Sequence, residues 1–252
     1  MNQTIALLCI IGIGCISCKK ETIEKRKFTT SFESVIDFDG FYITPQNHLN
    51  TTNHNLSDSL VYSGNFSHKA WVMGTNPPST ILVNNNHRGY PTVQLYKTSG
   101  GSFQTPCYII FHVWLDMSLQ TSTTGNESDW FSFATFCDDE SDNWSRTVLV
   151  NLSNTGFVHL QHVPLQGKQE HIFQTSTLPF PQNEWVELKV YLDFAKGKYA
   201  KVWQNGQLVS HAKIDDIENK LAQAHFGMYC PPQITSGIVY NDDLTIEMVN
   251  GE

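Results

Sequence analysis

The sequence predicts an all-β domain folded as a two-sheet sandwich or jelly roll. Three observations predict it. From Phe32 onward the chain is a series of short runs that alternate apolar and polar residues, and a strand sends alternate side chains to opposite faces. Turn residues part the runs at Gly100-Gly101, Asn126, Asn154-Thr155-Gly156, Lys196-Gly197 and Asn205-Gly206, the last being a strong two-residue hairpin signal. Helical tendency is confined to Asp215–Ala224. With 252 residues, 12% aromatic and 16% charged, the chain suits one large all-β domain and no internal repeat or domain linker divides it.

The order begins with an export signal. Ile5–Ile16 is apolar and too short to span a bilayer comfortably, and it ends in Cys-Ile-Ser-Cys-Lys-Lys-Glu. Ser17 directly before Cys18 resembles the lipobox of bacterial lipoproteins, with Cys15 where leucine is usual. That resemblance implies removal of residues 1–17, acylation of Cys18, and an exported protein lipid-anchored to the bacterial outer membrane or cell surface. A plain secretory signal is the alternative. Residues 18–30, charged and polar, are expected to be a tether, and residues 31–252 the jelly-roll domain.

Within the domain the expected strands are Ser31–Ile36, Ser67–Met73, Thr92–Lys97, Tyr108–Met117, Trp130–Phe136, Arg146–Asn151, Phe157–His162, Trp185–Asp193, Tyr199–Gln204, Ala224–Cys230 and Asp243–Val249. Ile109, Phe111, Val113 and Leu115 form one inward row, and Val186, Leu188, Val190 and Leu192 another. Burying such side chains contributes about 1.5–3 kcal/mol each, ample for a core. The residues between them differ. Glu187, Lys189, Tyr191 and Asp193 read as an ordinary wet face, whereas His112, Trp114 and Asp116 do not, so the two sheets are expected to have unequal outer faces. Cys107, Cys137 and Cys230 are odd in number, lack zinc-site spacing and read as small buried hydrophobes.

The run from Arg88 carries the main functional signal. Arg88, Tyr90, Thr92, Gln94 and Tyr96 share one strand face, with Pro91, Val93 and Leu95 behind. His112 and Trp114, His159 and Gln161, and His225 and Tyr229 around Gly227 are outward residues of the same kind. Each alone is compatible with a structural role. Together they predict a groove for a polar, ring-shaped ligand, with Gly227 keeping the face open. The net charge of −8 argues against nucleic acid. Paired carboxylates for a glycosidase and Ser-His-Asp or Cys-His arrangements find no support in these rows.

The alternation, the turns and Gly227-Met228-Tyr229 resemble the concanavalin-like jelly rolls of polysaccharide lyases, the heparin-lyase-like and alginate-lyase-like families, over about residues 31–249. The resemblance implies an all-β concanavalin-like jelly-roll β-sandwich of two antiparallel sheets that cleaves an extracellular uronic-acid polysaccharide by β-elimination, with no cofactor for catalysis. It casts His159 or His112 as the base, Tyr229 as the acid, and Arg88, Tyr90, Gln94, Tyr96, Trp114, Gln161 and His225 as substrate-binding residues. His159-Leu160-Gln161 stands where the alginate-type families carry Gln-x-His, and of their Arg-Glu-Leu-Arg strand only Arg88 and Gln94 have counterparts. The same residues serve equally well in a non-catalytic carbohydrate-binding lipoprotein.

Three further segments, Ser-Phe-Glu, the run Val61–Trp71 and Asn-Asp-Asp-Leu-Thr-Ile, resemble carbohydrate-binding jelly rolls whose first and last strands share calcium. That implies Glu33 and Asp243 as ligands of a structural calcium ion, beside carbonyls near Asn65 and Lys69. In the alternative, Asp242-Asp243 merely begins a strand. Asp138-Asp139-Glu140 and Asp142 read as a solvated loop. A monomer is expected, touching the membrane only through its lipid.

Overall fold

The computed structural model describes residues 26–34, 41–42, 52–75, 85–120, 129–140, 144, 146–164, 171–173, 176–195, 197–214 and 218–249. The export signal, Cys18, Asn126, Asp142 and Lys196 lie outside the described residues.

The strands are β1 (Lys27–Thr30), β2 (Phe41–Tyr42), β3 (Thr52–Ser57), β4 (Ser67–Met73), β5 (His87–Gly89), β6 (Thr92–Val93), β7 (Phe103–Gln104), β8 (Cys107–Asp116), β9 (Trp130–Cys137), β10 (Thr147–Ser153), β11 (Val158–Val163), β12 (His171–Phe173), β13 (Trp185–Asp193), β14 (Tyr199–Gln204), β15 (Gln207–Lys213), β16 (Lys220–Leu221), β17 (Gln223–Cys230) and β18 (Ser236–Met248). The first sheet runs β15-β14-β13-β8-β18-β4-β3 with β1 on β18. The second runs β12-β11-β10-β9-β17-β6-β2 with β5 on β17, and β7 pairs with β16. The chain passes repeatedly between the two antiparallel sheets, so this is the predicted concanavalin-like jelly-roll sandwich.

Alternation fixes which residues face inward. Ile109, Phe111, Val113 and Leu115 of β8 and Val186, Leu188, Val190 and Leu192 of β13 are all buried. They meet Phe131, Phe133 and Phe136 of β9, Val148, Val150 and Leu152 of β10, and Phe226 and Met228 of β17 in one core. Phe111 and Phe226 touch across the two layers in a T-shaped pair, centroids 5.2 Å apart. At one edge the buried Ser210 hydroxyl of β15 accepts the Leu160 N–H of β11 at 3.1 Å and donates to the Phe173 carbonyl, tying the sheets together. Cys107, Cys137 and Cys230 are buried and form no disulfide among the described residues, as expected of small hydrophobes. The β14–β15 hairpin turns at Asn205 (φ 47°) and Gly206 (φ 79°), the two positive φ values its sequence announced.

Four expectations are corrected. The strand expected over Thr92–Lys97 ends at Val93, and Leu95–Lys97 is a 3₁₀ turn, in which Lys97 N–H bonds to Gln94 O at 2.9 Å and Tyr96 N–H to Ala222 O at 3.1 Å. Asp215–Ala224 is not helical over its described part, where Lys220–Leu221 and Gln223 onward are extended. The chain ahead of Ser31 is not all tether, since Lys27–Thr30 pair with β18, while Phe32 turns into the core at φ 56°. β8 and β13 are neighbours in one sheet, with Trp114 opposite Trp185, so the bland and the unusual rows share one outer face.

Gly227 is required by packing rather than by ligand approach. It has φ 128°, and a Cβ there would lie 2.8 Å from the Gly89 carbonyl, 2.9 Å from His68 Cε1 and 3.2 Å from Tyr90 Cβ. It sits in the bulge between Phe226 and Tyr229 against β9, while Ala224, Phe226, Met228 and Cys230 stay in the core and leave His225 and Tyr229 on the outer face. Gly227→Ala is expected to destabilise the protein by about 2–4 kcal/mol through backbone strain and overpacking. An unchanged denaturant midpoint would show that the bulge relaxes freely.

Candidate functional site

The outer face of the second sheet carries two rows of residues set by strand register. In one, His159 of β11 stands opposite Asn151, Asn151 opposite Ser132, Ser132 opposite Tyr229, and Tyr229 opposite Arg88. In the other, Gln161 is opposite Leu149, then Thr135, His225 and Thr92. Both rows stay on the outer face because a bulge in β9 sets Ser132 and Thr135 on one side three residues apart, while β17 alternates unbroken from Ala224 to Cys230. Neither row contains a carboxylate.

The densest part lies over β17 and β5. The His225 ring stacks on Tyr90 with centroids 3.9 Å apart, lies 5.1 Å from Trp144, and meets Tyr229 edge-on at 5.6 Å. Tyr229 is bordered edge-on by Trp130 at 5.1 Å and Tyr90 at 6.1 Å, with the Arg88 guanidinium 5.5 Å above its ring. Its hydroxyl accepts a hydrogen bond from Asn86 Nδ2 at 3.1 Å, and Arg88 donates to the Asn86 carbonyl at 3.1 Å.

His225 is 4% exposed, yet among the described residues neither ring nitrogen has a hydrogen-bond partner. Burial, aided by the Arg88 charge, lowers its pKa to about 3, so the ring is neutral at neutral pH. Burial also raises the Tyr90 phenol well above its ordinary range, against the opposing pull of Arg88. Thr135 Oγ1, beside His225 in its row, and Asn151 Oδ1 are likewise buried without protein partners. Buried polar atoms are normally paired. Four such atoms lie on this one face.

The expected residues divide. Arg88, Tyr90, His225 and Tyr229 converge. His159 and Gln161 share the face but not the cluster, since three strand steps of 4.7–4.9 Å put His159 roughly 14 Å from Tyr229. His159 is buried, with its pKa lowered by that burial, and Gln161 accepts from Asn151 Nδ2 at 2.6 Å. His112 and Trp114 are on the outer face of the other sheet, where Tyr62 stacks on His112 at 3.7 Å and Trp114 meets Tyr240 edge-on. They cannot act with Tyr229. Gln94 is buried ahead of the 3₁₀ turn, and Tyr96 lies in that turn beside Lys97.

Trp130, Trp144, Asn86, Thr135 and Asn151 were not foreseen. Trp130 and Asn151 were legible as outward positions of alternating runs. Trp144 reaches His225 from a loop, which leaves no periodic trace.

Glu33 and Asp243 do converge, but on a loop rather than a cation. Both Glu33 carboxylate oxygens accept the Asn65 N–H, at 3.1 and 3.0 Å. Ser63 Oγ donates to Asp243 at 3.0 Å, and Asp242 accepts the Tyr62 and Ser63 N–H groups at 3.0 and 3.2 Å. Backbone N–H groups thus engage Glu33 and Asp242, and a hydroxyl engages Asp243. Among the described residues no group of three or more His, Cys, Asp or Glu side chains could hold a metal ion.

No protein-family model and no curated protein matches the sequence. Solved structures do. The chain superimposes on an endo-β-1,4-glucuronan lyase from the fungus Trichoderma reesei with a TM-score of 0.63, at 13% identity, over 88% of this chain and 95% of that one. Alginate lyase Aly36B gives 0.52 at 12% identity, over 90% and 98%. Alginate lyase vAL-1 from Chlorella virus gives 0.52 at 9%, over 79% and 91%. These likenesses are of fold.

Proposed function

We propose that this protein is an exported polysaccharide lyase, lipid-anchored through Cys18, that cleaves a uronic-acid polysaccharide by β-elimination at the His225–Tyr229 cluster. The observation that carries the reading is His225 itself, buried with two unpartnered ring nitrogens against Tyr229 and Arg88. A structure that resembles glucuronan and alginate lyases along nearly its whole length supports the substrate class.

The chemistry assigns itself by position. The Arg88 guanidinium binds the uronate carboxylate and stabilises the enolate that develops as C5 loses its proton. Neutral His225 takes that proton. The electron pair forms the C4=C5 double bond, the C4–O bond breaks, and the Tyr229 hydroxyl protonates the leaving oxygen. A carboxylate bound beside His225 offsets the Arg88 charge and raises the basicity of the imidazole in the complex. Trp130 and Trp144 stack on sugar rings, and Asn151, Gln161 and His159 receive the chain farther along the face.

The test is incubation with a panel of polyuronates, following the ultraviolet absorbance of the unsaturated product. Absorbance should rise with glucuronan, alginate or a related polymer. Because His225 is neutral down to about pH 3, kcat/KM should not halve near the ordinary histidine value of about 6.5. Retention on a glycan without unsaturated product would instead favour a binding protein, a reading favoured by the depressed basicity of His225 and the net charge of −8.

A further inference from the structure

All six tryptophans of the chain are half-buried, and none is in the core. Trp130 and Trp144 border the His225–Tyr229 cluster. The other four, Trp71, Trp114, Trp185 and Trp203, are on the opposite side of the molecule, on the outer face of the first sheet. The solvated face of an antiparallel sheet is ordinarily polar, and nothing in the core requires these rings there.

Register places them in order. Trp185 of β13, Trp114 of β8, Tyr240 of β18 and Lys69 of β4 form one row across four adjacent strands. The row is roughly 14 Å long at 4.7–4.9 Å per strand. Trp71 follows Lys69 on the same face of β4, and Asn55 extends the row onto β3. Tyr62, 48% exposed, stacks on His112 and meets Trp185 edge-on at 5.7 Å.

The cations of this face lie among the rings. Lys69 Nζ is 5.3 Å from the Trp71 ring and 5.5 Å from Tyr240. Lys189 Nζ is 4.2 Å from Tyr108 and 5.8 Å from Trp203. Lys201 Nζ is 5.2 Å from Tyr191. The acids of the face, Asp116, Glu187, Asp193, Asp242 and Glu247, stand outside the Trp185–Lys69 row, and Asp242 is buried and engaged by the Tyr62 and Ser63 N–H groups. An otherwise acidic chain thus presents half-exposed rings interleaved with ammonium groups. Rings pack on the apolar faces of pyranoses, and ammonium groups attract carboxylates.

We propose that the outer face of the first sheet is a second carbohydrate surface that binds an anionic polyuronate chain. It holds the polymer while another stretch of chain lies at the His225–Tyr229 cluster on the far side, raising the effective concentration of substrate there. The choice of polyuronate rests on the lyase reading above, and the presence of a glycan surface does not.

The test is affinity electrophoresis of the full chain in gels containing glucuronan, alginate or a neutral glucan, with turnover measured separately on a short uronate oligosaccharide. Wild type and Tyr229→Phe should both be retarded by a polyuronate. Trp71→Ala and Lys69→Ala should each weaken that retardation about tenfold and leave oligosaccharide turnover within twofold. Equal retardation of variants and wild type overturns the proposal. Equal retardation in neutral glucan overturns its anionic specificity. A loss in the variants of self-association by sedimentation, or of binding to anionic-lipid vesicles, with polymer retention intact, assigns the face to a second copy or to a membrane and also overturns it. Absence of turnover with retention intact removes the lyase reading and leaves this surface standing.

Discussion

Tyr229→Phe is expected to lower kcat on a polyuronate by about 10²–10⁴ with KM changed little. The substitution removes one oxygen. The ring, with its contacts to Trp130, Tyr90, His225 and the Arg88 guanidinium, stays, so the face keeps its shape and the substrate its carboxylate contact. What is lost is the proton donor to the departing oxygen, and positioned general acids contribute factors of about 10²–10⁴. That corresponds to roughly 3–5 kcal/mol of transition-state stabilisation. The pattern of kcat down with KM held marks an interaction made only in the transition state. Arg88→Ala should raise KM as well as lower kcat, because the guanidinium meets the carboxylate in both states. A drop below tenfold for Tyr229→Phe would remove Tyr229 from the chemistry.

Alternation made much of this architecture legible. Ser67–Met73, Trp185–Asp193 and Tyr199–Gln204 were read with the bounds they have in the fold, because each has one apolar and one polar face. The same rule placed Arg88, Tyr90, His225 and Tyr229 on an outer face. Bulges are invisible to a period of two, and the site depends on one in β9, which sets Ser132 and Thr135 on one face three residues apart. Sheet membership is also invisible to it. His112 and His159 have equally plausible alternation, but long-range pairing sends β8 to one sheet and β11 to the other. Arg88 and Gln94, six residues apart, likewise resemble one strand face, but the ladder breaks at Tyr90-Pro91 between β5 and β6, and Gln94 stands at the start of a 3₁₀ turn.

Replacing His225 by Phe should make this protein less sensitive to acid. His225 is fully enclosed, and burial with the Arg88 charge lowers its pKa to about 3. His68 is enclosed against His54, Nε2 to Nδ1 at 3.2 Å, and burial with that neighbour's charge lowers it well below 6.5. Burial also lowers His54, His87, His112 and His159. A histidine with a lowered folded pKa binds its proton more readily when unfolded. Stability therefore rises with pH through the window below about 6.5 and is lost as pH falls through it. At pH 4.5, about two units below the unfolded value, His225 alone costs about 2–3 kcal/mol. Asp138 and Asp242 act in the opposite sense, since burial raises both to about 6 and their protonation favours the fold as pH drops. Each aspartate gains about 2 kcal/mol over the same range, so the pair offsets His225, and the His225 share is read by difference. Between pH 7 and 4.5 wild type should lose about 2–3 kcal/mol of unfolding free energy relative to His225→Phe, a variant that should also abolish elimination. A difference between wild type and variant that stays level toward pH 4.5 would mean that the His225 imidazole gains a partner or water on protonation. His225 would then be an ordinary titrating histidine, and its assignment as a neutral base held ready by burial would fall with the prediction.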